Sequence, residues 1–332
     1  MRSGVRQRVG LVGVAAVLLV AACSSPAPTP VGTLGTASGA ANPFAVQGGA
    51  TPSSSPTPTV VVAPVTTAHP CVGAPNPTRW NHVIWIWMEN KPATAVVGSP
   101  SAPYITGLAG ACASATDYHG VAHPSLPNYL AATSGSVHGV TDDGPPSAHP
   151  LSGESVFGQV AAAGLQWRAY NESMPTACAQ ASAGTYAAKH NPAVYYTAIS
   201  TECQMFDVGI DQLSTDIAAD SLPSFAFVTP NLCNDMHDCP IATGDAWLKG
   251  MLPTLLGSAA YKRGDTAIFV VWDEDDGSHN NRVPLLVIAP PVKPGTSIAT
   301  RLDHYGLLRT TEGMLGLAPL GNAASATRIP GL

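Results

Sequence analysis

The chain has 332 residues, with 15 Lys and Arg against 21 Asp and Glu, which gives a net charge of −6. Proteins with a general affinity for nucleic acid carry an excess of basic residues, so this charge balance argues against nucleic acid as a partner. A small anionic substrate is still compatible with it, because a bound metal can make a cleft locally positive. The length suits one large α/β domain that follows an N-terminal targeting segment.

The N-terminus has the pattern of a bacterial lipoprotein signal. Three arginines among the first eight residues precede an apolar stretch at residues 9–22, and Cys23 follows two alanines. Such a stretch is too short to cross the roughly 30 Å apolar core of a bilayer as a helix. We therefore expect residues 1–22 to be a cleaved signal peptide and Cys23 to carry the lipid, although a short uncleaved anchor is the alternative.

Residues 23–70 are rich in Pro, Thr and Ser and contain no Asp, Glu, Lys or Arg. This composition predicts an extended linker that cannot form a core. Residues 71–332 then form the folded domain. We expect an exported monomer that the lipid on Cys23 holds at the extracytoplasmic face of the cell membrane.

Six cysteines remain once Cys23 is set aside, and an even number favours disulfides in an exported protein. Short loop closure favours Cys233–Cys239 and then Cys178–Cys203. That leaves Cys71–Cys112 as the third pair. Free buried thiols are the alternative.

Apolar runs and helical patterns alternate along the folded region. Runs typical of buried strands cover residues 83–88, 224–228, 267–271 and 284–289, with a weaker run at 164–170. Helical patterns cover residues 155–163, 211–219, 246–256 and 304–317. The alternation predicts an α/β fold with a mostly parallel central sheet and helices on both faces.

Oxygen ligands follow three of the predicted strands. Glu89 and Asn90 follow the first, Asp235 lies shortly after the second, and Asp273 and Glu274 follow the third. Because the carboxyl ends of parallel strands meet at one edge of a sheet, we expect these side chains to lie close together. Carboxylate and amide oxygens bind divalent cations, so the pattern predicts a metal centre.

Ser125 is the candidate nucleophile, in the motif His123-Pro-Ser-Leu-Pro-Asn-Tyr129. The sequence predicts a helix with Ser125 at its N-cap and a stop at Gly135. The hydroxyl would then lie beside backbone N–H groups that attract a phosphate. A serine at this position can also be a helix cap and nothing more.

Six ordered motifs across residues 82–317 together resemble the phosphoesterase family of bacterial acid phosphatases and phospholipases C, within the alkaline-phosphatase-like superfamily. The motifs are Met88-Glu-Asn90, His123-Pro-Ser-Leu-Pro-Asn-Tyr129, Lys189-His-Asn-Pro192, Pro230-Asn231 with His237, Trp272-Asp-Glu-Asp275 and His304-Tyr-Gly-Leu-Leu-Arg-Thr-Thr-Glu312. The resemblance implies a metal-dependent phosphoesterase with an alkaline-phosphatase-like fold.

The resemblance also implies a metal site and a nucleophile. The residues that would bind a divalent cation, which can be Mg, Mn, Ca or Zn, are Glu89, Asn90, Asp273 and Glu274. Ser125 would attack phosphorus and form a phosphoserine, which water then hydrolyses.

Further residues acquire roles from the same resemblance. His190, His237 and His123 would be catalytic histidines that bind phosphate oxygens or protonate the leaving group. Lys189 and Asn128 would bind the substrate.

A second metal is open at this stage. Asp235, His237 and His304 follow the ligand order of a second metal site in the wider superfamily. His279, after the acidic strand end, is a weaker candidate ligand.

The favoured function is an acid phosphatase that hydrolyses small phosphomonoesters. The alternatives are a phospholipase C that acts on lipid head groups and a non-catalytic envelope-binding protein. An α/β-hydrolase is disfavoured because no G-x-S-x-G motif surrounds Ser125, and a zinc peptidase is disfavoured because H-E-x-x-H is absent.

Overall fold

The computed structural model describes residues 63–332. The predicted signal peptide, the predicted lipidation site Cys23 and the predicted linker up to residue 62 lie outside the described residues. Among the helices that the structure describes, none has the length and apolar character needed to cross a membrane.

The described chain alternates between strands and helices. The strands are β1 (His82–Met88), β2 (Ala113–Ala115), β3 (Tyr118–His119), β4 (Trp167–Asn171), β5 (Asp207–Gly209), β6 (Phe225–Thr229), β7 (Thr266–Trp272), β8 (Leu285–Ile288), β9 (Thr296–Ile298) and β10 (Leu302–Asp303). The α-helices are α1 (Ala93–Val96), α2 (Pro103–Ala111), α3 (Ser125–Ser134), α4 (Val156–Ala162), α5 (Ser200–Phe206), α6 (Asp211–Ala218), α7 (Ile241–Leu256), α8 (Ala259–Lys262) and α9 (His304–Leu315). Short 3₁₀ turns cover Ala188–His190, Pro192–Tyr195, Thr197–Ile199 and Gly321–Ser325.

Eight of these strands form one sheet in the order β5-β4-β6-β1-β7-β8-β2-β9. Strand β8 runs antiparallel to both of its neighbours, and the other pairings are parallel. Strands β10 and β3 form a separate parallel pair. The mostly parallel central sheet is therefore confirmed, and all five predicted strands are present within a few residues of their expected bounds.

The central strands are apolar along their whole length because both faces of the sheet are covered. On one face of β1, Trp85 donates a hydrogen bond to Thr311 of α9 and Trp87 packs on Tyr129 of α3. Ile84 points to the other face and is equally buried. Helices α3, α4 and α9 pack together as one group, and α2, α6, α7 and α8 form another. The prediction of helices on both faces is confirmed.

The chain enters the domain near the amino-terminal ends of β1 and β7, at the end of the sheet opposite to their carboxyl ends. Here the backbone N–H groups of Val72 and Ala74 donate to the carbonyl of Pro290, which follows the antiparallel strand β8. Tyr261 donates its hydroxyl proton to the carbonyl of Pro70, so contacts with the domain begin before residue 71.

Three disulfides lie within the described chain. They join Cys71 to Cys112, Cys178 to Cys203 and Cys233 to Cys239, which is the pairing that the sequence predicts.

Candidate active site

Four carboxylates meet at the carboxyl ends of β1, β6 and β7. Glu89 directly follows β1, Asp273 and Glu274 directly follow β7, and Asp235 lies in the loop after β6. All four side chains are buried. The parallel register of β1 with β7, in which Met88 pairs with Trp272, places Glu89 beside Asp273.

Ser125 lies among these carboxylates and is 1% exposed. Its Oγ is 3.1 Å from Glu89 Oε2 and 3.3 Å from Glu274 Oε1, so its single proton can be donated to either oxygen. The predicted N-cap position is wrong by one residue, because Pro124 is the N-cap and Ser125 is the first helical residue. Within the described chain the Ser125 side chain caps no backbone N–H.

Asn128 holds the loop that leads into α3. Its Oδ1 accepts hydrogen bonds from the N–H groups of Val121 and Ala122, at 2.8 and 3.0 Å. Its Nδ2 donates to the carbonyls of Ala122 and Pro124, at 2.9 and 3.2 Å. The predicted role of Asn128 in substrate binding is therefore corrected: the side chain is fully buried and its hydrogen-bonding capacity is used by the loop.

Burial and mutual repulsion disfavour the ionised forms of the clustered carboxylates. Burial, with repulsion from Asp273 and Asp235, raises the pKa of Glu89 well above its usual value. Burial raises the pKa of Asp235 to about 8, and burial with repulsion from Asp273 raises that of Glu274 to about 9. Burial also raises the pKa of Asp273. A cation in their midst would allow these groups to ionise together.

Several buried oxygens in the cluster accept no hydrogen bond from the described residues and could bind a cation. Asn90 Oδ1, Asp235 Oδ2 and Asp273 Oδ2 are buried and have no hydrogen-bond partner among the described residues. Asn90 adopts a positive φ of 54°, and its backbone N–H donates to Asp273 Oδ1 at 3.1 Å. Buried polar atoms are normally paired, so these orphaned oxygens fit a divalent cation that prefers oxygen ligands.

His190 and Tyr129 form the wall of the cluster beside Glu89. The two rings stack at 5.3 Å with an interplanar angle of 5°. The Tyr129 hydroxyl donates to Glu89 Oε1, and His190 Nε2 lies 3.3 Å from the same oxygen. His190 Nδ1 lies 3.4 Å from Asp235 Oδ2. Burial lowers the pKa of His190 well below its usual value, which favours the neutral ring that binds metals.

His237 is more accessible than His190. Its ring centroid is 5.6 Å from that of His190, and one ligand atom each of Glu89, His190 and His237 lie within 4.8 Å of one another. The side chain is 26% exposed and its Nδ1 is 2.6 Å from Asp238 Oδ1. This arrangement leaves Nε2 of His237 as the ring nitrogen that can face a substrate or a metal.

His304 does not join a second metal site, which corrects the prediction. Its Nε2 donates to the backbone carbonyl of Asp273 at 2.6 Å, and its Nδ1 is 2.8 Å from the Tyr118 hydroxyl. Both ring nitrogens are therefore engaged, and burial lowers the pKa of His304 to about 4, so the ring is neutral. The histidine that approaches Asp235 is His190.

His123 contacts two carboxylates that follow β7. Its Nδ1 is 2.6 Å from Glu274 Oε2 and its Nε2 is 3.3 Å from Asp275 Oδ1, with the side chain 44% exposed. A cis peptide bond joins His123 to the following residue, Pro124. His279 belongs to a separate exposed turn, in which Asp275 accepts backbone N–H groups of residues 277, 279 and 281.

A cleft of about 710 Å³ opens beside the carboxylate cluster and is lined by Lys189, His237 and Asp143, among others. Lys189 Nζ is 2.7 Å from Asp143 Oδ2. Burial disfavours the ammonium, but the hydrogen bond to Asp143 and the negative charges of Asp143, Glu89 and Asp273 together outweigh it and raise the pKa of Lys189. The cleft has room for the organic part of a small substrate.

The sequence analysis missed Tyr129 and Asp143. Tyr129 lies inside the nucleophile motif, where its helical spacing of four from Ser125 could have placed it on the same face. Asp143 gave no signal, because Asp142-Asp143-Gly144 looks like an ordinary turn.

Comparison with known proteins places these features in one family. A family model described as "Phosphoesterase family" matches residues 85–318. The chain is 36% identical to a phosphatidylinositol-3-phosphatase from Mycobacterium tuberculosis over 255 residues, which are 75% of this chain and 81% of the relative. It is 29% identical to a probable acid phosphatase from Kluyveromyces lactis over 71% of this chain, and spans 58% of that longer relative.

Solved structures show the same fold at low sequence identity. A protein of the alkaline phosphatase superfamily from Vibrio parahaemolyticus matches with a TM-score of 0.53 and 11% identity, covering 74% of this chain and 70% of its own. The lipoteichoic acid synthase LtaP from Listeria monocytogenes matches with a TM-score of 0.52 and 10% identity, covering 81% and 80%. The chain belongs to the phosphoesterase family, with an alkaline-phosphatase-like fold, and is a hydrolase that acts on phosphoric esters.

Proposed function

We propose that this protein is an exported, lipid-anchored acid phosphatase that hydrolyses phosphomonoesters through a phosphoserine. The observation that carries the proposal is the position of Ser125, whose buried Oγ lies 3.1 and 3.3 Å from two carboxylates at the start of a helix that it does not cap. Similarity to acid phosphatases supports the substrate class. The proposed signal peptide is residues 1–22, the lipidated residue is Cys23, and the linker is residues 23–70.

The residues proposed to hold a divalent cation are Glu89, Asn90, Asp273 and Glu274. A cation bound there would supply positive charge that lowers the pKa of the serine hydroxyl and screens the phosphate from the carboxylates. Asp235, with His190 and His237, could complete the ligand set or hold a second cation. The orphaned buried oxygens and the cluster of Glu89 with two histidines support this assignment.

The remaining steps involve residues of the chain itself. Ser125 transfers its proton to Glu89 or Glu274, its Oγ forms a bond to phosphorus, and the ester P–O bond breaks. His237, on the cleft side, is the candidate to protonate the leaving oxygen. Water then attacks phosphorus as the Oγ–P bond breaks, and it gives a proton to His237. The carboxyl group that took the serine proton returns it to Oγ, and inorganic phosphate is released. Lys189 is proposed to bind phosphate oxygens, and His123 to hold Glu274 in place.

The first test is hydrolysis of an aryl phosphate and of an aryl phosphocholine by the full-length protein in detergent, across pH, with and without chelator. We expect turnover of the monoester that the chelator abolishes and that Ser125→Ala reduces by at least about 10³-fold. The matched control is Ser155→Ala, because Ser155 does cap a helix, accepting from the N–H of Gly158 at 3.2 Å. That change should cost about 1 kcal/mol of stability and leave turnover intact.

Each alternative predicts a different result. Preference for the phosphocholine diester would favour a phospholipase C, and the similarity to a phosphatidylinositol-3-phosphatase makes a lipid phosphomonoester a worthwhile further substrate. Absence of turnover with both compounds after several metals are added back would favour a binding protein. Full activity of Ser125→Ala would remove the proposed nucleophile.

A further inference from the structure

One carboxylate, Asp143, occupies two groups that would otherwise be available to a phosphate at Ser125. Its Oδ1 accepts the backbone N–H of Leu126, the residue after the nucleophile, at 3.0 Å. Its Oδ2 accepts from Lys189 Nζ at 2.7 Å. An N–H in the first turn of a helix and an ammonium group are both favourable contacts for a phosphate.

The loop that carries Asp143 has a defined structure of its own. Asp142 Oδ1 accepts the N–H of Gly144 at 2.8 Å and lies 2.6 Å from His149 Nε2. Tyr195 donates its hydroxyl proton to the carbonyl of Gly144 at 2.9 Å. Asp143 is thus held from both sides, and its position at the start of α3 is a feature of the fold.

The charges explain why this position matters. Asp143 and Lys189 both lie at the cleft beside the carboxylate cluster, with side chains 29% and 21% exposed. A phosphate bonded to Ser125 would place a second anion next to the Asp143 carboxylate. The two negative charges would repel each other. Both anions would also need the same two hydrogen-bond donors, the Leu126 N–H and the Lys189 ammonium.

We propose that Asp143 competes with the phosphate for Lys189 and for the Leu126 N–H, and so weakens the binding of both substrate and product. The inference rests on the proposed role of Ser125 as nucleophile. Weak binding of the ground state favours turnover, because interactions that hold substrate, transition state and product equally do not accelerate the reaction. Asp143 is therefore a residue that tunes affinity, and it does not itself react.

The test compares Asp143→Asn and Asp143→Ser with Asp142→Asn in the full-length protein loaded with its metal. Both changes at 143 remove the charge, and asparagine also keeps an oxygen that can accept the Leu126 N–H. We expect the inhibition constant of inorganic phosphate to fall about tenfold, with a parallel fall in the KM for an aryl phosphate. Asp142→Asn keeps the turn and should leave both constants unchanged.

Calorimetric titration with inorganic phosphate measures the same affinity without turnover. An unchanged or weaker affinity in both Asp143 variants would overturn the proposal, since loss of a purely structural contact would lower the melting temperature and loosen the site. The Lys189→Met background supplies a second check, because the gain from Asp143→Asn should shrink when its partner is absent. Full turnover of Ser125→Ala would show separately that Ser125 is not the nucleophile. The calorimetric comparison of phosphate affinity would still be valid in that case.

Discussion

Buried carboxylates at two places in this molecule differ in their hydrogen-bond partners. Asp207 is a single carboxylate between two amides: its Oδ1 accepts from Asn171 Nδ2 at 2.6 Å and its Oδ2 accepts from Asn191 Nδ2 at 2.7 Å. In the active-site cluster, Asp235 and Asp273 each keep an oxygen without a hydrogen-bond partner in the described chain. Both kinds of carboxylate have raised pKa values, that of Asp207 reaching about 7 through burial.

The difference teaches that a raised pKa alone does not identify a functional carboxylate. Burial raises the pKa of Asp207 as it does in the cluster, but two amide donors satisfy both of its oxygens. In the cluster, several carboxylates face one another with oxygens left free. That arrangement is costly without a cation, so clustering and missing partners are the features that indicate a site.

The largest expected effect separates the two groups through their response to metal. Asp273→Asn should reduce turnover by at least about 10²-fold to 10³-fold and abolish the rise in melting temperature that a divalent cation produces in the wild type. Asp207 is not a proposed metal ligand, and Asp207→Asn keeps the shape of its side chain. The rise in melting temperature on adding the cation should therefore remain in this variant. An equal loss of the metal response in both variants would contradict the distinction.

The pH dependence of stability gives the next largest effect. Folding raises the pKa of Asp207 to about 7, of Asp235 to about 8 and of Glu274 to about 9. The folded protein therefore binds more protons than the unfolded chain between about pH 4 and these values, and its free energy of unfolding should fall as pH rises through that range.

In the presence of a chelator, we expect the free energy of unfolding to fall by on the order of a few kcal/mol over this pH range. Denaturant unfolding at several pH values measures it. Adding a divalent cation should flatten the part above about pH 7, because the bound cation favours ionised carboxylates. Asp207→Asn should remove only the contribution of Asp207, which lies below about pH 7, while Asp235 and Glu274 still contribute in that range. Stability that rises with pH in chelator would show that the cluster is ionised in the folded state.

The smallest effect concerns two disulfides at different distances from the chemistry. Cys233–Cys239 has a sequence separation of 6 and encloses Asp235 and His237, whereas Cys71–Cys112 has a separation of 41 and lies near the chain's entry point. Replacing the first pair with alanine should cost roughly 2 kcal/mol of stability and replacing the second roughly 4 kcal/mol. Metal affinity, measured by titration, should fall only for the first pair.

Much of the fold could be predicted because the central strands are apolar on both faces. The run that contains Trp85 and Trp87 allows few other interpretations, and the polar residues that end such strands necessarily meet at one edge. Short strands such as β2 and β10 gave no usable pattern, since two or three residues have no periodicity.

The site was predictable in its residue types and less so in its partners. Ser125, Glu89 and Asp273 were indicated by their positions at element ends, and the structure brings them together. His304 and Asn128 carry polar side chains of the expected types, but their neighbours use every hydrogen bond they can form. Those neighbours come from distant parts of the chain, so sequence spacing could not reveal them.

The point at which the chain enters the domain has a consequence for access to the cleft. Val72 and Ala74 are fixed to the Pro290 segment, on the side of the sheet away from Ser125. These two residues therefore take no part in lining the cleft beside Lys189 and His237.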